Sequence, residues 1–458
     1  MDVGATAATA TSNVALDTPG LLRTRDGYVS FATTGTATTR LHYFYADPNP
    51  YLIADQATQM QAYNSAGTHV ATVACTGLHA FVTYGTASAN PAVYTIGRSD
   101  SSMRKFNGAA WSAVGGTAPT TGRGLAVTGA SNRLVVAGSN GGDRVWFSDP
   151  GAPETYGANN FVDLDPGNGE FITGACSWAN DVYVFKQSAF YVFYGESIDS
   201  DGQPIFNYRK VQGVGAVQSY GPLCPTPQGL YFLADDGVYL TTGGPPVKVS
   251  QALDQLFGAG RSNALQTSLN VNLSWYRGQL FVVLGLITGD PRVFVWYRAT
   301  NSWAEWDLMD GKTGGMFAAN PHNTGVFFCN GTDNAIYLMS QAATTDNGSA
   351  ISWSYKSGRY EVAERNRTAV IRQEQLTGTG TVNLLLETNL YNAAGGIYSG
   401  MSAATPIAYT LGTSDSATDT QMDGAMGRWF QFTLSGTGPA TVSELTHEIG
   451  NVMPAGVY

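Results

Sequence analysis

The chain has 458 residues, of which 13% are charged and 12% are aromatic, and its formal net charge is −10. Charged residues are about half as frequent as the roughly 25% usual in soluble proteins. This balance argues against a charged, helix-rich enzyme and against a broad basic surface that grips nucleic acid. The aromatic content is sufficient for a large core and argues against disorder.

Residues 1–20 are rich in Ala and Thr and are predicted to form an extended arm. They lack the basic and apolar regions of a secretory signal, so we expect no export by that route. No uninterrupted apolar run approaches the roughly 18 residues of a membrane span. A soluble protein without a membrane span is therefore expected.

A hairpin pattern recurs at intervals of about 40–50 residues. Each copy consists of two β-branched and aromatic runs joined by a Gly, Asn or Asp turn, which is typical of a β-hairpin. The copies begin at Tyr51, Val93, Arg133, Val182, Leu230, Leu280 and Val326. Intervening runs such as Gly124–Val127 and Ser274–Tyr276 supply further strands. The pattern predicts an all-β protein with a β-propeller of about seven blades over residues 21–341; an elongated array of sandwiches is the alternative.

Two departures from the hairpin pattern are predicted. A short helical segment is expected near Ser250–Phe257. After Ser340, five longer strands with period-two alternation predict a separate β-sandwich domain over residues 342–458.

Residues with catalytic or metal-binding chemistry are sparse. The four cysteines are far apart and are expected to be free thiols, mostly buried. His69 and His79 come closest to metal-ligand spacing but have no carboxylate cluster near them in the sequence, so surface or strand-edge positions are expected. The run Asp163–Glu170 lacks the ligand order of an EF-hand and is interpreted as a turn. We therefore predict no catalytic, cofactor or metal site and no enzymatic activity.

Two clusters remain as candidate interaction surfaces. Trp296, Tyr297, Trp303 and Trp306 could stack on sugars if exposed, although adjacent strands of one blade core are the preferred interpretation. Arg359, Arg365, Arg367 and Arg372, interspersed with glutamates, are predicted to face another subunit.

The block Arg144–Gly195 resembles the tail nozzle, or tail hub, proteins of short-tailed bacteriophages, also described as head-to-tail joining or DNA-stabilisation proteins. Three parts carry the resemblance: Trp146–Gly151 (WFSDPG), Asp165–Gly174, and Phe185-Lys186 through Gly195. Later segments fit the same family, and the similarity extends over about Ala92–Arg372.

The resemblance implies a virion structural protein of the tail, assembled in the host bacterial cytoplasm as a homohexamer. Such a ring would extend the DNA ejection channel below the portal and its adaptor ring, retain the packaged genome and dock tail fibres or a spike. Genomic DNA would pass through the lumen without sequence-specific contacts, and no cofactor is implied. The alternative is a carbohydrate-binding propeller of a receptor-binding tail component. A glycan hydrolase would need a carboxylate pair that the sequence does not single out.

Overall fold

The structure is a computed structural model. It describes the chain except for residues 1–7, 47–48, 57, 87–88, 101, 140–141, 199, 201–203, 218–220, 258–270, 285–290, 309–315, 320–324, 330–332, 362–366, 389–401, 404–406, 412–415, 428, 450–452 and 455–458.

Seven sheets in the described part of the chain are the blades of a β-propeller, and the four main strands of each blade pair antiparallel. Blades 1 to 6 each have four strands in chain order. Blade 1 contains Arg40–Ala46, Asn49–Asp55, Gln59–Asn64 and His69–Ala74, and blade 2 contains His79–Thr86, Ala89–Gly97, Arg104–Phe106 and Trp111–Ala113. Blade 3 contains Gly124–Val127, Leu134–Ser139, Arg144–Phe147 and Phe161–Asp163, and blade 4 contains Gly174–Trp178, Asp181–Phe185, Ala189–Ile198 and Pro204–Gln212. Blade 5 contains Leu223–Thr226, Gly229–Ala234, Gly237–Thr241 and Val247–Lys248, and blade 6 contains Asn272–Tyr276, Gln279–Leu284, Arg292–Tyr297 and Ser302–Trp306.

Blade 7 is closed by a strand from the other end of the chain. It contains Met316–Ala319, Gly325–Cys329 and Ala335–Ser340, and its fourth strand is Tyr28–Thr33, which pairs antiparallel with Ala335–Ser340. Short strands Thr345–Asp346 and Ser349–Ala350 extend the same sheet. The first strand of blade 7 contacts that of blade 1, so the ring closes.

The seven predicted hairpins are the second and third strands of the seven blades, so the predicted propeller is confirmed. Local turn chemistry also explains how the first two strands of blade 4 are joined. Ala179 and Asn180, which lie between them, both have positive φ (51° and 72°), as a two-residue type I′ turn requires. The helical segment is also present, as a 3₁₀ helix over Gln251–Leu256. None of the helices in the described residues is long and apolar enough to cross a membrane.

Buried apolar side chains fill the space between each pair of neighbouring blades. Phe44 and Ile53 of blade 1, for example, pack with Val93 and Phe106 of blade 2. The first strands of neighbouring blades approach each other closely. At Gly124 of blade 3 only a glycine fits, since a Cβ there would lie 2.3 Å from the backbone nitrogen of Ala175 in blade 4. Each sheet is thus covered on both faces by its neighbours, as a propeller requires.

Two more sheets are built mainly from the C-terminal quarter of the chain. One contains Ala8–Ser12, Ser352–Ser357, Trp429–Thr437, Thr381–Thr388 and Ser402–Ala403, with Tyr360–Glu361 and Ile407–Thr410 paired alongside. The other contains Val14–Ala15, Leu22–Thr24, Thr441–Ile449, Arg367–Thr379 and Ser416–Gly427, with Met453–Pro454 paired alongside. Buried residues of both sheets, including Tyr355 and Leu376, belong to one core cluster, which extends to Trp306 of blade 6 and Phe328 of blade 7.

The N-terminal region differs from the predicted extended arm of residues 1–20. Its residues Ala8–Ser12 pair with Ser352–Ser357, and Val14, Ala15 and Leu16 are buried. The following segment, placed entirely in the propeller by the prediction, contributes Leu22–Thr24 to the six-stranded sheet before Tyr28–Thr33 enters blade 7. The small residues of Ala8–Ser12 have no apolar face of their own, and the distant strand Ser352–Ser357 supplies the hydrogen-bonding partner that orders them.

A buried arginine fixes this region between the propeller and the two C-terminal sheets. Arg25 is 2% exposed, and its guanidinium makes two hydrogen bonds to the Asp346 carboxylate, one of them at 2.8 Å. The Arg25 Nε donates to Asn13 at 2.9 Å, and the guanidinium lies 5.8 Å from the Trp306 ring. The Trp306 indole N–H donates to the carbonyl oxygen of Val14 at 2.9 Å. Blade 6, the arm and blade 7's edge are therefore held by one polar network.

Candidate functional site

The block that carries the family resemblance folds into the junction between blades 3 and 4. Its central residue is Lys186, which is fully buried and whose ammonium donates to Asp143 at 2.9 Å. The same ammonium donates to the carbonyl oxygen of Asp165 at 3.3 Å and to the Asn168 side chain at 3.2 Å. One lysine of blade 4 thus holds the loop that leads out of blade 3. A fully buried charge with three acceptors is typical of a site that fixes a loop.

Two carboxylates of the loop, those of Asp163 and Asp165, are already engaged with cations. Arg144 makes a bidentate pair with Asp163 at 2.7 and 2.8 Å, and this guanidinium lowers the pKa of Asp163. Lys210 and then Tyr191 lower the pKa of Asp165 by hydrogen bonding to its carboxylate. The arrangement agrees with a structural turn rather than a calcium loop, since calcium sites need several free carboxylate oxygens.

A long two-stranded ribbon leaves the same junction. It consists of the third and fourth strands of blade 4, Ala189–Ile198 and Pro204–Gln212, which we call the blade 4 ribbon. Residues 189–193 are buried and residues 194–198 are exposed. Four of the eight exposed large hydrophobic side chains in the described chain lie on it: Tyr194, Ile198, Ile205 and Tyr208.

The ribbon is braced against blade 3. Arg133, which is 6% exposed, donates to Glu196 of the ribbon at 2.7 Å and to the carbonyl oxygen of Ser148 at 2.7 Å. Its guanidinium also lies 5.5 Å from the ring of Phe206. A braced ribbon with exposed apolar side chains is typical of a surface that meets another protein.

The cavity at the propeller axis is a second candidate site. Its volume is about 460 Å³, and the first strands of blades 1 to 6 line it. Arg40, His42 and Arg123 are among the lining residues, and none of the described lining residues is an aspartate or glutamate. Arg40 reaches blade 2, where it donates to the carbonyl oxygen of His79, and the Arg123 guanidinium lies 4.9 Å from the ring of Phe171 in the segment that leads into blade 4. They brace the inner wall of the ring.

His42 is neutral at this position. Burial, with a smaller contribution from the Arg40 guanidinium, lowers its pKa to about 3. The imidazole stacks on Phe81 with the ring centroids 5.4 Å apart. Because this histidine is neutral in the folded chain but takes up a proton more readily in the unfolded chain, it makes the free energy of unfolding depend on pH.

We predict that His42→Gln reduces the sensitivity of the fold to acid. The unfolded chain takes up a proton at His42 near pH 6.5, whereas the folded chain does not until about pH 3. The contribution of His42 is therefore present above about pH 6.5 and is lost as the pH falls toward 3. Between about pH 7 and about pH 5, the thermal midpoint should fall less in His42→Gln than in the original chain.

The control for this experiment is His69→Gln, because His69 is exposed on the outer strand of blade 1. This variant should lose as much thermal stability on acidification as the original chain. An equal loss in all three proteins would show that His42 is protonated in the folded state.

His79 differs from the position that the sequence predicts. The prediction is a surface or strand-edge residue without nearby carboxylates, whereas His79 is 1% exposed and lies between two carboxylates. Its Nδ1 is 3.1 Å from Asp55, and its Nε2 is 3.2 Å from Asp100. Asp55 ends the second strand of blade 1, and Asp100 follows the second strand of blade 2, so only the propeller topology brings them together.

The other predicted candidates are distributed over separate elements. Trp296, Tyr297 and Trp306 are at most 6% exposed, which confirms the core interpretation for them. Trp303 is partly buried and donates to the carbonyl oxygen of Val249. These rings therefore do not form an exposed sugar-stacking platform.

The four arginines do not form one continuous run. Arg359 is exposed beside the seven-stranded sheet. Arg367 and Arg372 belong to the strand Arg367–Thr379 of the six-stranded sheet, and Arg365 lies outside the described residues. Their interface role stays a prediction.

All four cysteines are free, as expected, but only Cys224 and Cys329 are buried; Cys75 and Cys176 are partly exposed. Burial, with smaller contributions from Asp55 and Asp100, raises the pKa of Cys75 to about 12. This thiol therefore stays protonated near neutral pH in the absence of a ligand.

Comparisons with known proteins bear on the fold alone. No protein-family model matches the chain, and no curated protein matches it. It is similar to the crystal structure of RRP9 WD40 repeats, with 9% identity and a TM-score of 0.43 over 69% of this chain and 99% of that one. It is also similar to the crystal structure of a Mitotic Checkpoint Complex, with 10% identity and a TM-score of 0.42 over 69% and 93% of the two chains. The propeller assignment rests on the strand pairing described above.

Proposed function

We propose that this chain is a structural subunit of the tail nozzle of a short-tailed bacteriophage. Copies of it, six in the family arrangement, would form a ring below the adaptor, extend the DNA ejection channel and dock fibres or a spike. The observation that carries the proposal is the blade 3–blade 4 junction, where the family-like block and the exposed ribbon belong to one braced unit. No enzymatic step is included in the proposal.

A mechanical role is supported by how the polar groups of the block are used. Lys186, Asp163 and Asp165 are engaged in pairs that fix loops between strands. The exposed half of the ribbon is held against blade 3 by the pair between Arg133 and Glu196. Rigid presentation of an apolar strand pair suits a permanent subunit contact, because little side-chain and loop entropy is lost on association.

The DNA conduit of the proposed ring would lie between copies. The axial cavity of one propeller, about 460 Å³, has the size of a small-molecule pocket and cannot pass a duplex. A lumen formed between copies would be lined by the outer surface of the chain, whose net charge is −10. Like-charged walls repel the DNA phosphates and do not hold a sliding genome.

Glutamate substitutions on the ribbon test the proposal. A virus that depends on this chain would be complemented with the original chain, with Ile198→Glu/Ile205→Glu, or with Val247→Glu. Val247 is the matched control, since it is 64% exposed on the outer strand of blade 5. We expect the ribbon double variant to fold but to give particles that lack the tail ring and lose DNA, while Val247→Glu assembles normally.

The readouts are electron microscopy of the particles and the fraction that retains DNA. Normal tails with the ribbon variant would show that the ribbon is not the contact surface. Normal tails and normal infection without any copy of the chain would show that it is not the nozzle protein.

A further inference from the structure

Three different metal-ligating side chains meet at the junction of blades 1 and 2. Asp55 ends the second strand of blade 1, Cys75 directly follows its fourth strand, and His79 begins the first strand of blade 2. One ligand atom from each lies within 4.8 Å of the others. Cys75 and His79 are four positions apart on a short loop, a spacing that allows both to reach one ion.

The separation of two of these ligands already suits a tetrahedral ion. Tetrahedral zinc with bonds of about 2.0–2.1 Å places its nitrogen and oxygen ligands about 3.3 Å apart. The Nδ1 of His79 and the Oδ2 of Asp55 are 3.1 Å apart. Zinc with a sulfur bond of about 2.3 Å places the sulfur about 3.6 Å from those ligands, so the Cys75 sulfur needs to approach by about 1.2 Å at most to complete three protein ligands.

The His79 imidazole is held by a carboxylate on the nitrogen that would not bind the ion, as metal-binding histidines commonly are. Its Nε2 is 3.2 Å from the carboxylate of Asp100, which also accepts a hydrogen bond from Arg104 at 3.2 Å. A carboxylate on the far nitrogen fixes the tautomer and leaves Nδ1 as the ligating atom. The space for the ring depends on Gly97, where a Cβ would lie 2.9 Å from the imidazole.

We propose that Asp55, Cys75 and His79 bind one divalent transition-metal ion of the zinc type. A thiolate, a neutral imidazole and a carboxylate form a borderline-soft set that suits Zn²⁺ or Co²⁺ better than Mg²⁺ or Ca²⁺. On binding, the Cys75 thiol loses its proton to solvent, and the thiolate and the Asp55 carboxylate balance the two charges of the ion. The ion would join blades 1 and 2, and this inference is independent of the nozzle function.

Cobalt titration of the purified full chain, stripped of metal with a chelator, tests the site. One equivalent of Co²⁺ should produce a thiolate-to-cobalt charge-transfer band, and Zn²⁺ should abolish it. Cys75→Ser should lose the band, whereas Cys176→Ser, at the other partly exposed cysteine, should keep it. Asp100→Asn should retain the band but bind about 10–100-fold more weakly.

A second measurement needs no variant. Zn²⁺ should protect Cys75 of the original chain from alkylation, as measured by peptide mass spectrometry, and should leave the reactivity of Cys176 unchanged. The proposal is overturned if Co²⁺ gives no charge-transfer band and Zn²⁺ gives no protection. In that case His79 is a hydrogen-bonded link between two carboxylates and binds no metal.

Discussion

Replacement of Asp143 with alanine is expected to destabilise the propeller by about 3–5 kcal/mol, because it removes the carboxylate that pairs directly with the buried Lys186 ammonium. Lys186 is fully buried, and its two remaining acceptors, the Asp165 carbonyl and the Asn168 amide oxygen, are neutral. Hydrogen bonds to them satisfy the donor but do not balance the charge. Urea unfolding followed by tryptophan fluorescence measures the loss.

Two further variants separate the charge from the packing. Lys186→Met removes the ammonium and keeps a long apolar side chain, so it should cost about 1–2 kcal/mol, less than Asp143→Ala. The double variant Asp143→Ala/Lys186→Met should be more stable than Asp143→Ala alone. If both single variants cost the same, the buried charge is not what holds this junction.

The second large effect is expected from Trp306→Ala, at about 3–5 kcal/mol. Trp306 is 2% exposed and belongs to the core that joins blade 6 to the two C-terminal sheets. Its loss opens a cavity in that core and removes the indole donor to Val14 and the ring beside Arg25. We also expect the N-terminal arm to become accessible to protease near Asp17, as mass spectrometry of the cleaved fragments would show.

Trp306→Phe is the matched control. It keeps most of the buried area and loses the indole N–H, while the Tyr297 hydroxyl still donates to the same Val14 carbonyl. The cost should be about 1 kcal/mol, with the arm still protected. An arm that stays resistant to protease in Trp306→Ala would contradict the role of this residue as its anchor.

The parts of the fold that the sequence predicts are those whose pairing is local. Each of the seven hairpins has its two strands and its turn within 13 to 19 residues, so alternation and turn residues suffice to locate them. The repeat interval then indicates the blade, and the two covered faces of each blade explain why side chains such as Phe44 and Ile53 are apolar.

The N-terminal segment shows where this reasoning ends. Tyr28–Thr33 closes blade 7 by pairing with Ala335–Ser340, about 300 residues away, and Ala8–Ser12 pairs with Ser352–Ser357. Two strands so far apart in the sequence are not joined by a short turn, so no turn residues mark their pairing. A strand that is buried by distant residues also need not show a regular alternation of apolar and polar side chains.

The sequence locates the candidate sites to different degrees. The block that carries the family resemblance contains Lys186, Asp165 and Asn168, whereas Asp143, 43 residues before Lys186, lies outside it. The two carboxylates beside His79 come from two different blades, Asp55 from blade 1 and Asp100 from blade 2, so only the ring geometry identifies them. The cysteine and histidine four positions apart at a blade boundary were the available signal for that cluster.

The most direct test of the nozzle proposal is electron microscopy of virus particles that carry a gold-labelled copy of this chain, with averaging of the tail viewed end-on. The proposal predicts label in a six-fold ring on the tail axis, below the adaptor, with a central opening wide enough for duplex DNA. Label confined to the tips of fibres or to other peripheral positions would contradict the nozzle and favour the glycan-binding alternative.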